Sequence, residues 1–286
     1  MPLPPVTPAQ TKLWASTEPR EWKAALSQYD AAIRTMCKQK GKKAENLKAL
    51  DDWYRFEFPD AISKRSPPKV EKAEMIKLME WKLTRGKMRP LMHHIKGLKP
   101  EVVEAASETA LRLASSLLKS RTADGEEEHR GPWPAAAMTQ AMDALTKNLT
   151  GVGPATASAL FAAACPVAFP FMSDEAMVVV LPSAPSAHTL ARFLQLAAIF
   201  AQRAAALNQR AHNKASPPTG IPAEYAEWTA SDVERALWAV SFAPPTATND
   251  SNDDDSLVSA ETRKRQAMVS KDDEAKATST KQRRKK

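Results

Sequence analysis

The sequence predicts an all-α protein: one multi-helix domain over residues 17–243, with disordered ends. Three observations lead there. Glycines are few (8) and prolines many (22); the prolines fall mainly at segment boundaries, and the stretches between them are rich in Ala, Leu, Lys and Glu. That is a helical composition. Apolar residues recur at helical spacing in segment after segment. No sustained two-residue alternation occurs, and "MVVVLP", residues 177–182, is the only strand-like run. With 43% hydrophobic residues the chain has material for a substantial core.

Residues 1–16 form a proline-rich leader, expected to be disordered. A first helix is predicted over 18–38, where Trp22, Leu26, Tyr29, Ile33 and Met36 share one face. A second covers 44–58, carries the aromatic residues Trp53, Tyr54, Phe56 and Phe58, and ends at Pro59. A third spans 70–83, closed by Gly86, and a fourth follows Pro100 with Val103, Ala106, Ala110, Leu113 and Leu117 on one face. After the polar loop "RTADGEEEHRGPWP" comes a fifth helix, 135–149, with Met138, Met142, Leu145 and Leu149 aligned. A glycine turn leads to a sixth, 154–164, and Ser173 is placed as the cap of a seventh. An eighth runs over 186–209, and a ninth opens at the capping-box pair Thr229 and Asp232.

Charge narrows the function classes. The chain carries a net +8, and between Lys38 and Lys99 there are 17 Lys or Arg against 8 Asp or Glu. Residues 244–286 are polar and hold an acidic run, "NDSNDDD", followed by the basic clusters "RKR" and "KQRRKK". Such a segment buries too little apolar surface to fold, and two basic clusters read as a nuclear-import signal. The expected localisation is nuclear, with an import receptor as partner. Two cysteines, Cys37 and Cys165, make neither a disulfide framework nor a four-cysteine metal site. The N-terminal segment has no charged-then-apolar signal pattern. The apolar stretch 155–172 is broken by Pro166 and Pro170 and is too short to span a bilayer. A soluble, intracellular monomer without cofactor, metal or membrane partner is the expectation.

The glycine turn is the feature that points to a chemistry. In "LTGVGPATASAL" a helix ends, Gly-Val-Gly follows, and a new helix starts within one turn. Gly151 and Gly153 give the backbone freedom and leave no side chain above the turn. A phosphate can then meet the unpaired N–H groups and the dipole of the next helix. Contacts of this kind follow the DNA backbone and ignore sequence. Leu149 and Val152 are the expected core anchors. The plain structural reading is a helix corner that uses glycine for tight packing.

These residues resemble the hairpin of the helix-hairpin-helix DNA glycosylases, the HhH-GPD superfamily. The family pattern "L-x-G-[VI]-G-x-x-T-A" is met by Leu149, Gly151, Val152, Gly153, Thr156 and Ala157. A catalytic Asp opens the next helix in that family, and Asp174 lies 21 residues beyond Gly153. The resemblance covers residues 145–177. The whole chain is also similar to a group of eukaryotic proteins sharing "LMEWKLTRGK" and "GVGPATASA", which brings no activity with it. The glycosylase resemblance implies DNA binding through Gly151, Val152, Gly153 and Thr156, with Asp174 as the catalytic carboxylate of base-excision repair. Family members that also cleave the strand carry a hairpin lysine; Ala155 stands there, so the implied activity is monofunctional, without lyase chemistry. The family's four-cysteine iron–sulfur site has no counterpart in a chain with two cysteines.

Cleaving a glycosidic bond builds positive charge on the sugar, and a carboxylate beneath it stabilises that charge. The plain alternative makes Asp174 and Glu175 first-turn acids favoured by the helix dipole, behind a Ser173 cap. A second basic feature, "LMEWKLTRGKMRPLMHHIKGLK", places Arg85, Lys87 and Arg89 on a turn expected to be exposed and to contact phosphates. His93 and His94 are adjacent and do not share a helix face as metal ligands would. Two other readings stand beside the glycosylase-like one: a non-catalytic DNA-binding module, and a helical protein–protein scaffold whose hairpin is a packing corner.

Overall fold

The computed structural model describes residues 3–123, 132–182, 188–214 and 227–242. Residues 243–286, with both basic clusters expected to direct nuclear import, lie outside the described residues, as does most of the polar loop before Trp133. The domain is all-α, and no strand occurs among the described residues. In chain order the helices are α1 (Pro8–Ala15), α2 (Pro19–Ser27), α3 (Tyr29–Lys40), α4 (Leu47–Asp52), α5 (Phe58–Ser63), α6 (Lys72–Arg85) and α7 (Met92–Gly97). Then follow α8 (Pro100–Ala123), α9 (Ala135–Thr146), α10 (Pro154–Ala164), α11 (Asp174–Val180), α12 (Leu190–Lys214) and α13 (Ala230–Phe242). The strand-like run at 177–182 is mostly the end of α11.

The expected disordered leader is instead the helix α1. Thr7 and Gln10 form a reciprocal capping box, and Pro8 takes the first helical position, where its missing N–H costs nothing. The Gln10 side chain is buried and donates to the carbonyls of Glu175 (2.8 Å) and Leu237 (3.2 Å). These bonds dock α1 on α11 and α13.

The predicted first helix is two, divided at Gln28. The division lets Trp22 meet Trp228 (6.3 Å between ring centres) while Tyr29 packs on Trp238 (5.0 Å). The second predicted helix runs past Pro59. Proline cannot donate to the ladder, and the chain absorbs this in a π-helical turn at Trp53–Glu57, where Phe58 N–H reaches back to Trp53.

At the centre lies α13. Val233, Ala236, Leu237 and Trp238 are fully buried, and α1, α2, α3, α11 and α12 pack around it. Its predicted cap is present: Asp232 N–H donates to Thr229 Oγ1 (3.1 Å) and Thr229 N–H to Asp232 (3.0 Å). Leu190–Ala211 within α12 is long and apolar enough to cross a membrane, with a mean hydropathy of 1.2. Its Phe193, Leu196, Phe200 and Leu207 are buried in the domain, as in a core helix. Buried Asp51 of α4 accepts from Tyr29 Oη of α3 and Trp81 Nε1 of α6, each at 3.0 Å. That bridge fixes α6, whose C-terminal end carries the basic turn.

Candidate functional site

The hairpin joins α9 to α10. Leu149 (1% exposed) and Val152 (3%) reach the core, as their apolar side chains require. Gly151 has φ +86°, and a Cβ there would lie 2.6 Å from the Cβ of His94 in α7. Both its conformation and its neighbour demand glycine. Gly153 differs. Its φ of −95° is open to any residue, nothing lies within 4 Å of an added Cβ, and it is exposed. It occupies the cap position of α10 without a capping side chain. Open space therefore lies in front of a helix start whose first N–H groups lack helical acceptors.

The segment after α10 is tied back to it: Met172 N–H donates to Ser158 Oγ at 3.1 Å. Two residues on, Asp174 opens α11. Ser173 does not cap this helix. Its hydroxyl turns inward and donates to Glu234 Oε1 at 2.5 Å. The same oxygen accepts from Arg85 Nη2 at 3.1 Å, a pair that is 2% exposed on each side.

This corrects the reading of Arg85 as an exposed phosphate contact. Its guanidinium lies 4.2 Å from the centre of the Trp238 ring, with Phe171 at 5.0 Å and Trp81 at 5.3 Å. A planar, weakly hydrated cation suits such an aromatic cage. Lys87 and Arg89 stay outside the core, and between them Met88 is 71% exposed. The turn is held by Lys40, whose amine donates to the carbonyls of Thr84, Arg85 and Gly86 at 2.6–2.9 Å. This satisfies carbonyls that the end of α6 would leave unpaired.

The hairpin, α11 and the basic turn enclose one cavity of about 410 Å³. Gly151, Gly153, Pro154, Ala155 and Thr156 line it from the hairpin side, Ser173, Asp174 and Glu175 from α11, and Lys82 and Arg85 to Arg89, without Met88, from α6 and its turn. Phe171, Trp238, Phe242 and Met36 supply apolar wall. So the predicted site residues Gly151, Gly153, Thr156, Arg85, Lys87, Arg89 and Asp174 share one cavity, and Val152 anchors the hairpin beneath it.

Asp174 is held between two partners: Lys87 Nζ lies 3.0 Å from Oδ2 and His188 Nε2 lies 2.9 Å from Oδ1. Burial pushes the carboxyl up, but the bonds from His188 and Lys87 outweigh it and hold it down at about 2. Its neighbour Glu175 goes the other way, raised by burial in spite of Arg85. Two adjacent carboxyls are thus driven apart, the pattern expected where environment assigns separate tasks. Asp174 stays ionised at neutral pH. It can stabilise a cation forming against it, and it cannot serve as an acid.

Sequence reasoning missed His188, Lys40, Lys82 and Glu234. Lys82 precedes Arg85 by one turn of α6, a spacing that shares a face and was readable. His188 and Glu234 become neighbours only through folding. Among the described residues no three His, Cys, Asp or Glu side chains converge to hold a metal ion. Compared with models of known families, with curated proteins and with solved structures, the chain matches none.

Proposed function

We propose that this domain binds duplex DNA across the mouth of the cavity and acts on it as a glycosylase-like site. The hairpin's open backbone at Gly153 and the cations Lys87 and Arg89 take phosphates, while Asp174 faces a sugar drawn out of the stack. One observation carries this reading. Asp174 lies 21 residues beyond Gly153, yet both line one cavity. A helix-dipole role alone does not require that. The cavity, near 410 Å³, falls in the range of about 300–1,000 Å³ typical of ligand sites, enough for an extruded nucleotide. The ionised Asp174 suits electrostatic stabilisation of an electron-poor sugar and matches a monofunctional reaction. Import into the nucleus through the basic clusters rests on the tail sequence.

The scaffold reading also has an observation behind it: Gly151 packs on His94 as a plain helix corner would. Gly153 has no such neighbour, and the corner leaves it unexplained.

The test is affinity for intact duplex and for duplex with an abasic-site analogue, across a salt series. The full chain is compared with its Gly153→Asp variant, so that the basic tail contributes equally to both. Salt-sensitive binding that favours the analogue and weakens at least about tenfold in the variant supports the reading. Equal binding by both proteins assigns DNA contact to the tail and removes the hairpin from the interface.

A further inference from the structure

Three lysines line the cavity, and two are already engaged. Lys40 gives its amine to three backbone carbonyls, and Lys87 pairs with Asp174. Lys82 is different. It is half-buried in the cavity wall, and its amine makes no hydrogen bond or ion pair among the described residues. A half-buried amine left without an acceptor is costly unless it serves a ligand or becomes neutral. Burial, with Arg89 adding to it against the pull of Asp174, lowers its pKa to about 8. A substantial minority of neutral amine is then present at neutral pH, the form that attacks carbon.

The surroundings specify the electrophile. A neutral amine in a cavity with an ionised carboxylate suits a carbonyl carbon, because the protonated imine formed from it is a cation that Asp174 stabilises. The cations at the rim, Lys87 and Arg89, favour a carrier with phosphates on its flanks. We propose that Lys82 is an imine-forming nucleophile, and that its partner is the ring-opened sugar aldehyde of an abasic site in DNA. This rests on the DNA reading above and extends it to what remains after a base has gone. The Nζ lone pair adds to the aldehyde carbon and a C–N bond forms. The carbonyl oxygen takes up two protons, balanced by the two that nitrogen gives up, and leaves as water. The product is a C=N bond, and no oxidant or reductant is consumed.

The experiment uses the full chain and two duplexes, one with a natural aldehydic abasic site and one in which that aldehyde has been reduced to the alcohol. Binding is measured on the alcohol duplex, and sodium borohydride trapping on the aldehyde duplex, followed by peptide mapping of the adduct. The expected result is an adduct at Lys82 that falls at least about tenfold in Lys82→Arg, while alcohol-duplex affinity stays within about twofold because the charge is kept. Mapping is done on the unaltered protein, so misfolding of a variant cannot imitate a negative. Binding of the alcohol duplex without an adduct, or an adduct on the α-amino group or another lysine, overturns the imine and leaves the DNA reading standing. Absence of binding to either duplex overturns both.

Discussion

The hairpin at residues 147–153 and the basic turn at 86–90 border the same cavity, and each stops a helix next to a glycine. They present opposite parts of the chain. The hairpin sends its side chains inward at Leu149 and Val152 and leaves backbone exposed at Gly153. The basic turn has its backbone carbonyls covered by Lys40 and sends side chains outward, Lys87 to Asp174 and Met88 and Arg89 to solvent. A phosphate would meet N–H groups and a helix dipole at the first, and mobile cations at the second. The same punctuation in a sequence serves two recognition chemistries, and the neighbours in space decide which.

Substitutions that collapse or sharpen this contrast differ in size. Arg85→Ala should have the largest effect, because it empties the aromatic cage and leaves the buried Glu234 unpaired. A loss of about 3–5 kcal/mol in denaturant unfolding is expected; a loss below about 1 kcal/mol would return Arg85 to the exposed turn. Gly151→Ala meets both a left-handed backbone and the His94 Cβ, and should cost about 2–4 kcal/mol by thermal melting. Had Gly151 only a ligand to admit, the same change would spare stability.

Asp174→Asn tests the link between the two regions. The folded-state pKa of Asp174 is depressed to about 2, so its contribution is present above the unfolded value and lost as pH falls through the folded one. The wild type should exceed the variant by about 2 kcal/mol at neutral pH, with the gap closing between about pH 4 and pH 2. Urea midpoints across that range read it directly, and a gap independent of pH would mean the ion pairs with Lys87 and His188 do not count. Gly153→Asp should be the mildest for stability, within about 0.5 kcal/mol, since aspartate is a good cap for α10. Its effect should fall on DNA affinity. Loss of both together would make Gly153 a folding residue like Gly151.

Much of the fold was readable because its signals are local. Helical spacing placed the buried faces of α3, α8 and α9, and the Thr229–Asp232 cap formed where the pair of residue types predicts it. One local signal was readable but overlooked: "TPAQ" is a capping box with proline at the first turn, and it turns the supposed leader into α1. The site was legible in part. The hairpin and Asp174 are separated by a short stretch of chain, and their approach follows from one helix and the loop fixed to it at Ser158. Arg85 was misplaced because an arginine before glycine at a helix end looks solvated, and its partner Glu234 lies 149 residues away. Ser173 was read as a cap because a cap is what a local reading can see, whereas Glu234 claims its hydroxyl.

The sequence by itself determined the all-α class, the hairpin with its two glycines and the acid that opens α11, since periodicity, capping and turn chemistry act over a few residues. Tertiary structure alone decided which charges are buried, which are paired and which stay free. It locked Arg85 into the aromatic cage, gave Asp174 to Lys87 and His188, and left Lys82 unpartnered in the cavity wall. The reason is physical: desolvation and ion pairing depend on what packs nearby, and those neighbours come from distant parts of the chain.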